Sequence, residues 1–186
     1  MLELKGVVKC YGDIRAVDRV SMKVEAGTIA ALIGPNGAGK STTFRLISGL
    51  LHADDGQIVW CGKRLESALT REQRGFLPEE RGLYQAIEVE QLLRYWARLR
   101  NIDGSAIPAI LEDWISRFEL DSKRRALVRT LSKGNQQKVQ LAICLMHSPK
   151  LIVLDEPFSG LDPLNQDLVS EILLEQAASG ATILIS

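Results

Sequence analysis

The eight residues Gly34-Pro35-Asn36-Gly37-Ala38-Gly39-Lys40-Ser41 constrain this chain more than any other stretch. They match G-x-x-x-x-G-K-[S/T] at every fixed position. Before them, Thr28 to Ile33 is a short apolar run that reads as a buried strand. After them, Ser41-Thr42-Thr43-Phe44-Arg45-Leu46-Ile47-Ser48 reads as a helix that Gly49 can stop. Strand, glycine-rich turn and helix start together make an anion cradle. The glycines let backbone N–H groups turn inward, and the helix N-terminus adds its positive dipole end. Lys40 is placed to reach the β- and γ-phosphates of a nucleotide, and Ser41 to hold Mg²⁺. A nucleotide's phosphates with Mg²⁺ are the expected ligands of Gly34 to Ser41.

The rest of the chain supports an α/β domain. Leu2 to about Gly27 reads as two or three strands, with Tyr11-Gly12-Asp13 and Glu25-Ala26-Gly27 as turns. Gly56 to Trp60 is another strand. From about Glu79 to Pro149 the period turns helical: Leu92, Tyr95, Trp96 and Leu99 share one face, and Ile110, Leu111, Trp114, Ile115 and Phe118 another. Val139 to Met146 is apolar on almost every face, so that helix is expected to be buried, with Pro149 ending it. Leu151 to Leu154 is a buried strand, Leu164 to Ala178 a helix, and Ala181 onward a final strand. Alternating strands and helices imply a mostly parallel sheet covered on both sides.

Composition excludes several classes. The chain of 186 residues has a formal net charge of zero, so no global field favours nucleic acid or an anionic membrane. Charge is uneven, however: from Leu151 onward there are six acids and no Lys or Arg. Cys10, Cys61 and Cys144 form neither a zinc pattern nor a disulfide framework, which fits a reduced compartment. No run approaches the roughly eighteen apolar residues of a membrane span.

Leu151-Ile152-Val153-Leu154-Asp155-Glu156 is an apolar strand that ends in two acids. Acids at that end of a buried strand stand where α/β sheets bind ligands. Asp155 can hold Mg²⁺, and Glu156 can orient or deprotonate an attacking water. The order GPNGAGKST, LSKGNQQKVQLA, LIVLDEPFSGLDP resembles the nucleotide-binding subunit of an ABC transporter over essentially the whole chain. LPEERGLY together with LSKGNQQKVQ resembles a bacterial subgroup that includes sodium-efflux types.

That resemblance implies a fold: a P-loop NTPase with a mostly parallel core sheet, an N-terminal antiparallel β subdomain and an inserted α-helical subdomain. Residues 1–78 and 151–186 would form the catalytic core, and about 79–150 the helical signature subdomain. It implies site residues as well. Ser132 and Gly134 sit in the place of the family signature, which closes over the γ-phosphate held by a partner subunit; from the residues alone, Ser132 reads as an N-cap. Lys133 and Asn135 depart from the family pattern. Tyr11 matches the aromatic residue that stacks on adenine. Ser159-Gly160-Leu161-Asp162 matches a partner-contacting segment, although Asp162 before Pro163 also reads as a turn. Phe76 to Tyr84 corresponds to the loop that joins core and helical parts. Glu79 stands there in place of the usual Gln, as a possible Mg²⁺ ligand and catalytic group.

The resemblance further implies ATP hydrolysis by a homodimer or a paired ATPase subunit. It implies a separate transmembrane permease subunit and a cytoplasmic, peripheral location on the inner face of the membrane. Nucleic acid is not expected as a partner. In the family a His contacting the γ-phosphate follows a strand like ATILIS, and this chain stops just before it; His52 and His147 do not substitute by position. A truncated fragment is therefore expected, with ATP binding kept and hydrolysis weakened. Two alternatives remain: a soluble ABC-type ATPase acting on nucleic acid or the ribosome, which should show a long coiled-coil insertion or a second tandem cassette, and a binding-only fragment.

Overall fold

The computed structural model describes residues 1–80 and 82–186. The N-terminal stretch forms two strands, β1 (Leu2–Tyr11) and β2 (Ile14–Val24), paired antiparallel around a tight turn. Gly12 takes φ +57° in that turn, a conformation glycine adopts without penalty. Strands β4 (Asp55–Trp60) and β5 (Lys63–Arg64) extend this antiparallel sheet in the order β2-β1-β4-β5. The second sheet is fully parallel, in the order β3-β8-β7-β6, from β3 (Ile29–Ala31), β6 (Arg74–Leu77), β7 (Leu151–Leu154) and β8 (Thr182–Ile185). The helices are α1 (Lys40–Ile47), the short α2 (Leu65–Ala68), α3 (Val89–Leu99), α4 (Ile107–Arg117), α5 (Lys133–Leu145) and α6 (Pro163–Ala178).

Strand β7 shows how the layers assemble. Its side chains alternate between faces. Leu151 and Val153 pack with Phe44 and Ile47 of α1 and with Leu2 and Leu4 of β1. Ile152 and Leu154 pack on the other side, in a cluster that includes Val139 and Ile143 of α5 and Val169 and Ile172 of α6. The parallel sheet is thus covered on both faces, as expected, and its strands read as continuous apolar runs for that reason. Helix α5 is buried from Gln137 through Leu145. Cys144 is buried at 2% exposure, and its thiol pKa is pushed up to about 12 by desolvation.

The N-terminal stretch holds two strands, within the two or three expected. Two expectations need correction. The Thr28–Ile33 run yields only the three-residue β3, and it is not buried: Ala31 is exposed and Ile33 is 91% exposed. The cause is position, since β3 lies at the edge of its sheet and has one neighbour. On α3 the buried stripe is Val89, Leu92, Leu93 and Ala97, whereas Tyr95 and Leu99 face outward. Tyr95 instead meets Tyr84 edge-on, with ring centroids 5.8 Å apart.

His147 follows α5 in a half-buried position, with Nε2 3.2 Å from the Arg74 carbonyl, so the neutral ring donates there. Burial, and next the charge of Arg100, pulls its pKa down to about 4, against about 6.5 in an unfolded chain. Between those values the unfolded chain binds the extra proton. Stability therefore rises with pH across the window and is lost as pH falls from about 6.5 towards 4. The His147 contribution to that loss is expected to reach at most about 3 kcal/mol. Thermal unfolding at several pH values should show a shallower slope in His147→Gln. Equal slopes would mean that the ring does not stay neutral in the fold.

Candidate nucleotide-binding site

All four parallel strands end at the same edge of their sheet, so their C-terminal loops converge. The glycine-rich loop follows β3 and runs into α1. Gly37 and Gly39 both take φ +83°, and Gly39 is the residue before the first turn of α1. A side chain at Gly39 has no room, because its Cβ would lie 2.1 Å from the Ala16 carbonyl oxygen. Lys40 Nζ donates to the carbonyls of Gly34 at 2.8 Å and Pro35 at 3.0 Å. The ammonium group thus spans the loop it belongs to and holds its curvature. The first turn of α1 carries no acid, so its free N–H groups and dipole face the loop unopposed.

Strand β7 delivers the acids. Asp155 is 5% exposed, and its backbone N–H donates to Leu77 O of β6 at 2.9 Å. Ser186, following β8, donates its hydroxyl to Asp155 Oδ1 at 2.8 Å and accepts from the Glu156 N–H at 2.8 Å. One hydroxyl therefore fixes both the Asp155 carboxylate and the turn after it. Glu156 is exposed and takes φ +50°, a left-handed conformation uncommon for a residue with a side chain. Glu79, just beyond β6, shares a cavity of about 270 Å³ with Asp155 and Arg45.

The remaining expected residues divide. Tyr11 is 47% exposed and pairs with Ile14 at the start of β2. Ala16, two residues further on, is the one that touches Gly39, so the hairpin end carrying Tyr11 lies beside the loop. Ser132 is the N-cap of α5, accepting from the Asn135 N–H at 3.2 Å. Gly134 packs against Gly160 O. Neither of these contacts reaches the Gly34–Ser41 loop. Asp162 caps α6 by accepting from the Asn165 N–H at 3.0 Å, which lowers its carboxyl pKa. Arg81, inside the expected joining loop, lies outside the described residues.

Two residues were not foreseen from the sequence. Ser186 is one. Gln137 is the other: it is buried and donates to the carbonyl of Pro157 at 3.0 Å, tying α5 to the turn after the acids. No local pattern marks either, because each contact joins segments twenty or more residues apart.

The donors present fit a nucleotide with Mg²⁺. Among the described residues no three His, Cys, Asp or Glu gather as a metal cage. Magnesium commonly takes one or two carboxylates and completes its shell with phosphate oxygens and water. Buried Asp155 and the Ser41 hydroxyl supply oxygen donors of that kind, and Glu79 stands near.

Residues 17–159 match the family model described as ABC transporter. The chain belongs to the ABC transporter family. An uncharacterized ABC transporter ATP-binding protein of Bacillus subtilis, YhaQ, is 42% identical over 186 residues, which is all of this chain and 62% of the relative. The chain thus spans less than two thirds of that relative's length. A solved ATP-binding subunit of an ABC transporter matches with TM-score 0.90 and 35% identity, covering 100% of this chain and 78% of that one. CbiO1 of Clostridium perfringens, described as part of the ABC transporter complex cbiONQ, matches with TM-score 0.82 and 26% identity over 99% of this chain and 76% of its own. The antiparallel sheet, parallel sheet and helices are therefore an ABC ATPase fold.

In this ABC transporter chain, Gly39→Ala adds a clash and a strained φ at one point. The variant is expected to lose about 2 kcal/mol or more of stability and most of its ATP affinity. Thermal unfolding with and without ATP and Mg²⁺ checks both, and an undiminished ligand-induced shift would contradict the close approach of Gly39 to Ala16.

Proposed function

We propose that this chain is the ATP-hydrolysing subunit of a transporter. Two copies, or one copy with a paired ATPase subunit, would sandwich ATP head to tail, and closure would drive a separate membrane subunit. The observation that carries this reading is the convergence of a phosphate loop, a buried acid and an exposed acid at one sheet edge.

The residues divide the work by position. Gly34 to Thr42 cradle the phosphates with backbone N–H groups, and Lys40 exchanges its two carbonyl partners for phosphate oxygens. Tyr11 offers its exposed ring to the adenine. Bound Mg²⁺, held by Ser41, Asp155 and Glu79 with the phosphates, would neutralise charge on the transferred group. Glu156 points to solvent and accepts the proton of the attacking water. Exposed Ser132 and Lys133, with Gly134, start α5, and an exposed helix start is suited to meeting a second copy.

Helices α3 to α5, within the proposed unit of residues 79–150, would relay closure towards the membrane subunit through the Glu79–Tyr84 loop. Among the described residues no helix is long and apolar enough to cross a membrane. That accords with a peripheral subunit docked on a membrane partner at the inner face. The description of CbiO1 as part of a transporter complex supports a multi-subunit assembly.

Phosphate release from ATP with Mg²⁺ tests the reading in the intact protein. Glu156→Gln is expected to lower kcat by about 100-fold or more while ATP binding persists. Lys40→Ala is expected to weaken binding itself. Turnover that survives both substitutions would overturn the proposed roles.

A further inference from the structure

Ser186 stands where three strands of the parallel sheet meet. It follows β8, which lies between β3 and β7. The carbonyl of Ile185 accepts from the Leu32 N–H at 2.8 Å, just ahead of the glycine-rich loop. The Ser186 N–H donates to the Leu154 carbonyl at 3.2 Å, just ahead of the two acids. The backbone around this half-buried serine is therefore bonded both to the strand that leads into the loop and to the strand that carries the acids.

A hydroxyl has one hydrogen to give and two lone pairs to receive with. In Ser186 the hydrogen goes to Asp155 Oδ1 at 2.8 Å, and a lone pair takes the Glu156 N–H at 2.8 Å. Two consecutive acids are thus tied to a single oxygen atom. Each bond answers a separate need. Asp155 is buried and lines the cavity of about 270 Å³ that Glu79 and Arg45 also line. Among the described residues its other oxygen, Oδ2, has no hydrogen-bond or ion-pair partner. Anchoring Oδ1 stops the carboxylate from turning and leaves Oδ2 available to a cation. Glu156 needs the second bond, because its φ of +50° carries a cost that the surroundings must hold in place. Its carbonyl accepts from the Ser159 N–H at 3.1 Å and from Gln137 Nε2 at 3.4 Å, and its N–H is held by Ser186. The backbone that aims the Glu156 side chain is clamped on both sides, and Ser186 is the clamp it shares with Asp155.

We propose that Ser186 is a positioning residue for the divalent cation and the attacking water: its hydroxyl orders the Asp155 carboxylate for the one and, through the same oxygen, sets the Glu156 backbone for the other. The inference rests on the ATP-hydrolysis reading and adds a residue to which that reading gives no part. Both acids have to be placed relative to the phosphate loop, and Ser186 ends the strand that is paired with the strands of both.

The test compares Ser186→Thr with Ser186→Val in the intact protein. The two replacements have nearly the same shape and differ in the hydroxyl, so any packing cost is common to both. Mn²⁺ is the probe, titrated into protein saturated with a non-hydrolysable ATP analogue and followed by the EPR signal of the free ion. The Ser186→Val protein is expected to bind Mn²⁺ roughly tenfold more weakly than the wild type, and the Ser186→Thr protein within about twofold of it. Affinity for the analogue in EDTA should be the same in all of them, because Lys40 and its loop are untouched. In phosphate release, Ser186→Val should lower kcat and raise the Mg²⁺ concentration for half-maximal rate, with the KM for ATP unchanged. Should the Ser186→Val protein not fold, Ser186→Ala gives the same comparison. Mn²⁺ affinity indifferent to the hydroxyl would overturn the proposal and leave the ATP reading standing. So would an analogue affinity in EDTA that falls in the Ser186→Thr and Ser186→Val proteins alike, the mark of a packing role. A wild type that binds no analogue would overturn the ATP reading itself, and the inference with it.

Discussion

The functional edge depends on one piece of register: strand β8 pairs in parallel with β3 on one side and with β7 on the other. Ile183 is the partner of both Ile29 and Ile152. This double pairing sets the loop-bearing strand and the acid-bearing strand about 10 Å apart, two strand spacings, with their ends level. A slip of one residue in β7 would exchange the faces of Leu151 and Val153 with those of Ile152 and Leu154. Both faces are packed, so the slip would put side chains of the wrong shape into two cores at once and carry Asp155 off the edge. Packing on both faces of a four-residue strand is therefore what aims a carboxylate.

The elements that were readable in the sequence are those whose signal is local. The glycine-rich loop, the apolar run of β7, the all-round apolar α5 and the cap at Ser132 each announce themselves within a few residues. Strand β6 does not. It opens with Arg74, a residue that suggests a surface, and Gly75, which suggests a turn. In the fold Arg74 is buried because the carbonyls of Leu65 and Leu69 receive its guanidinium. Gly75 is needed because a Cβ there would lie 2.6 Å from the Cys144 carbonyl oxygen. Both reasons are tertiary. The same holds at the site, where Asp155 and Glu156 are legible as acids at a strand end, but the Ser186 hydroxyl that holds them comes from a different strand.

The acidic stretch after Leu151 raises the question of what balances it. The answer is distributed. Asp162 is spent on the N-terminus of α6, and Asp155 on the Ser186 hydroxyl. Glu175 reaches Arg117 of α4 at 2.8 Å. The Arg117–Glu175 pair is partly exposed, so its worth lies more in where α4 sits than in stability. Arg45, Arg71, Arg74 and Arg100, meanwhile, line a cavity of about 600 Å³ between the end of α1, the exit of β6 and helices α3 and α5.

Arg45, Phe76, Pro78 and Gly82 line both this cavity and the smaller one that holds Asp155 and Glu79, and the shared wall has a thermodynamic consequence. Packed side chains such as Phe76 and Pro78 cannot shift for one chamber and stay still for the other. Any occupant of the larger chamber that moves this wall changes the free energy of an occupant of the smaller one, and reciprocity makes the reverse change equal in size. Grip on one side is then measured in affinity on the other.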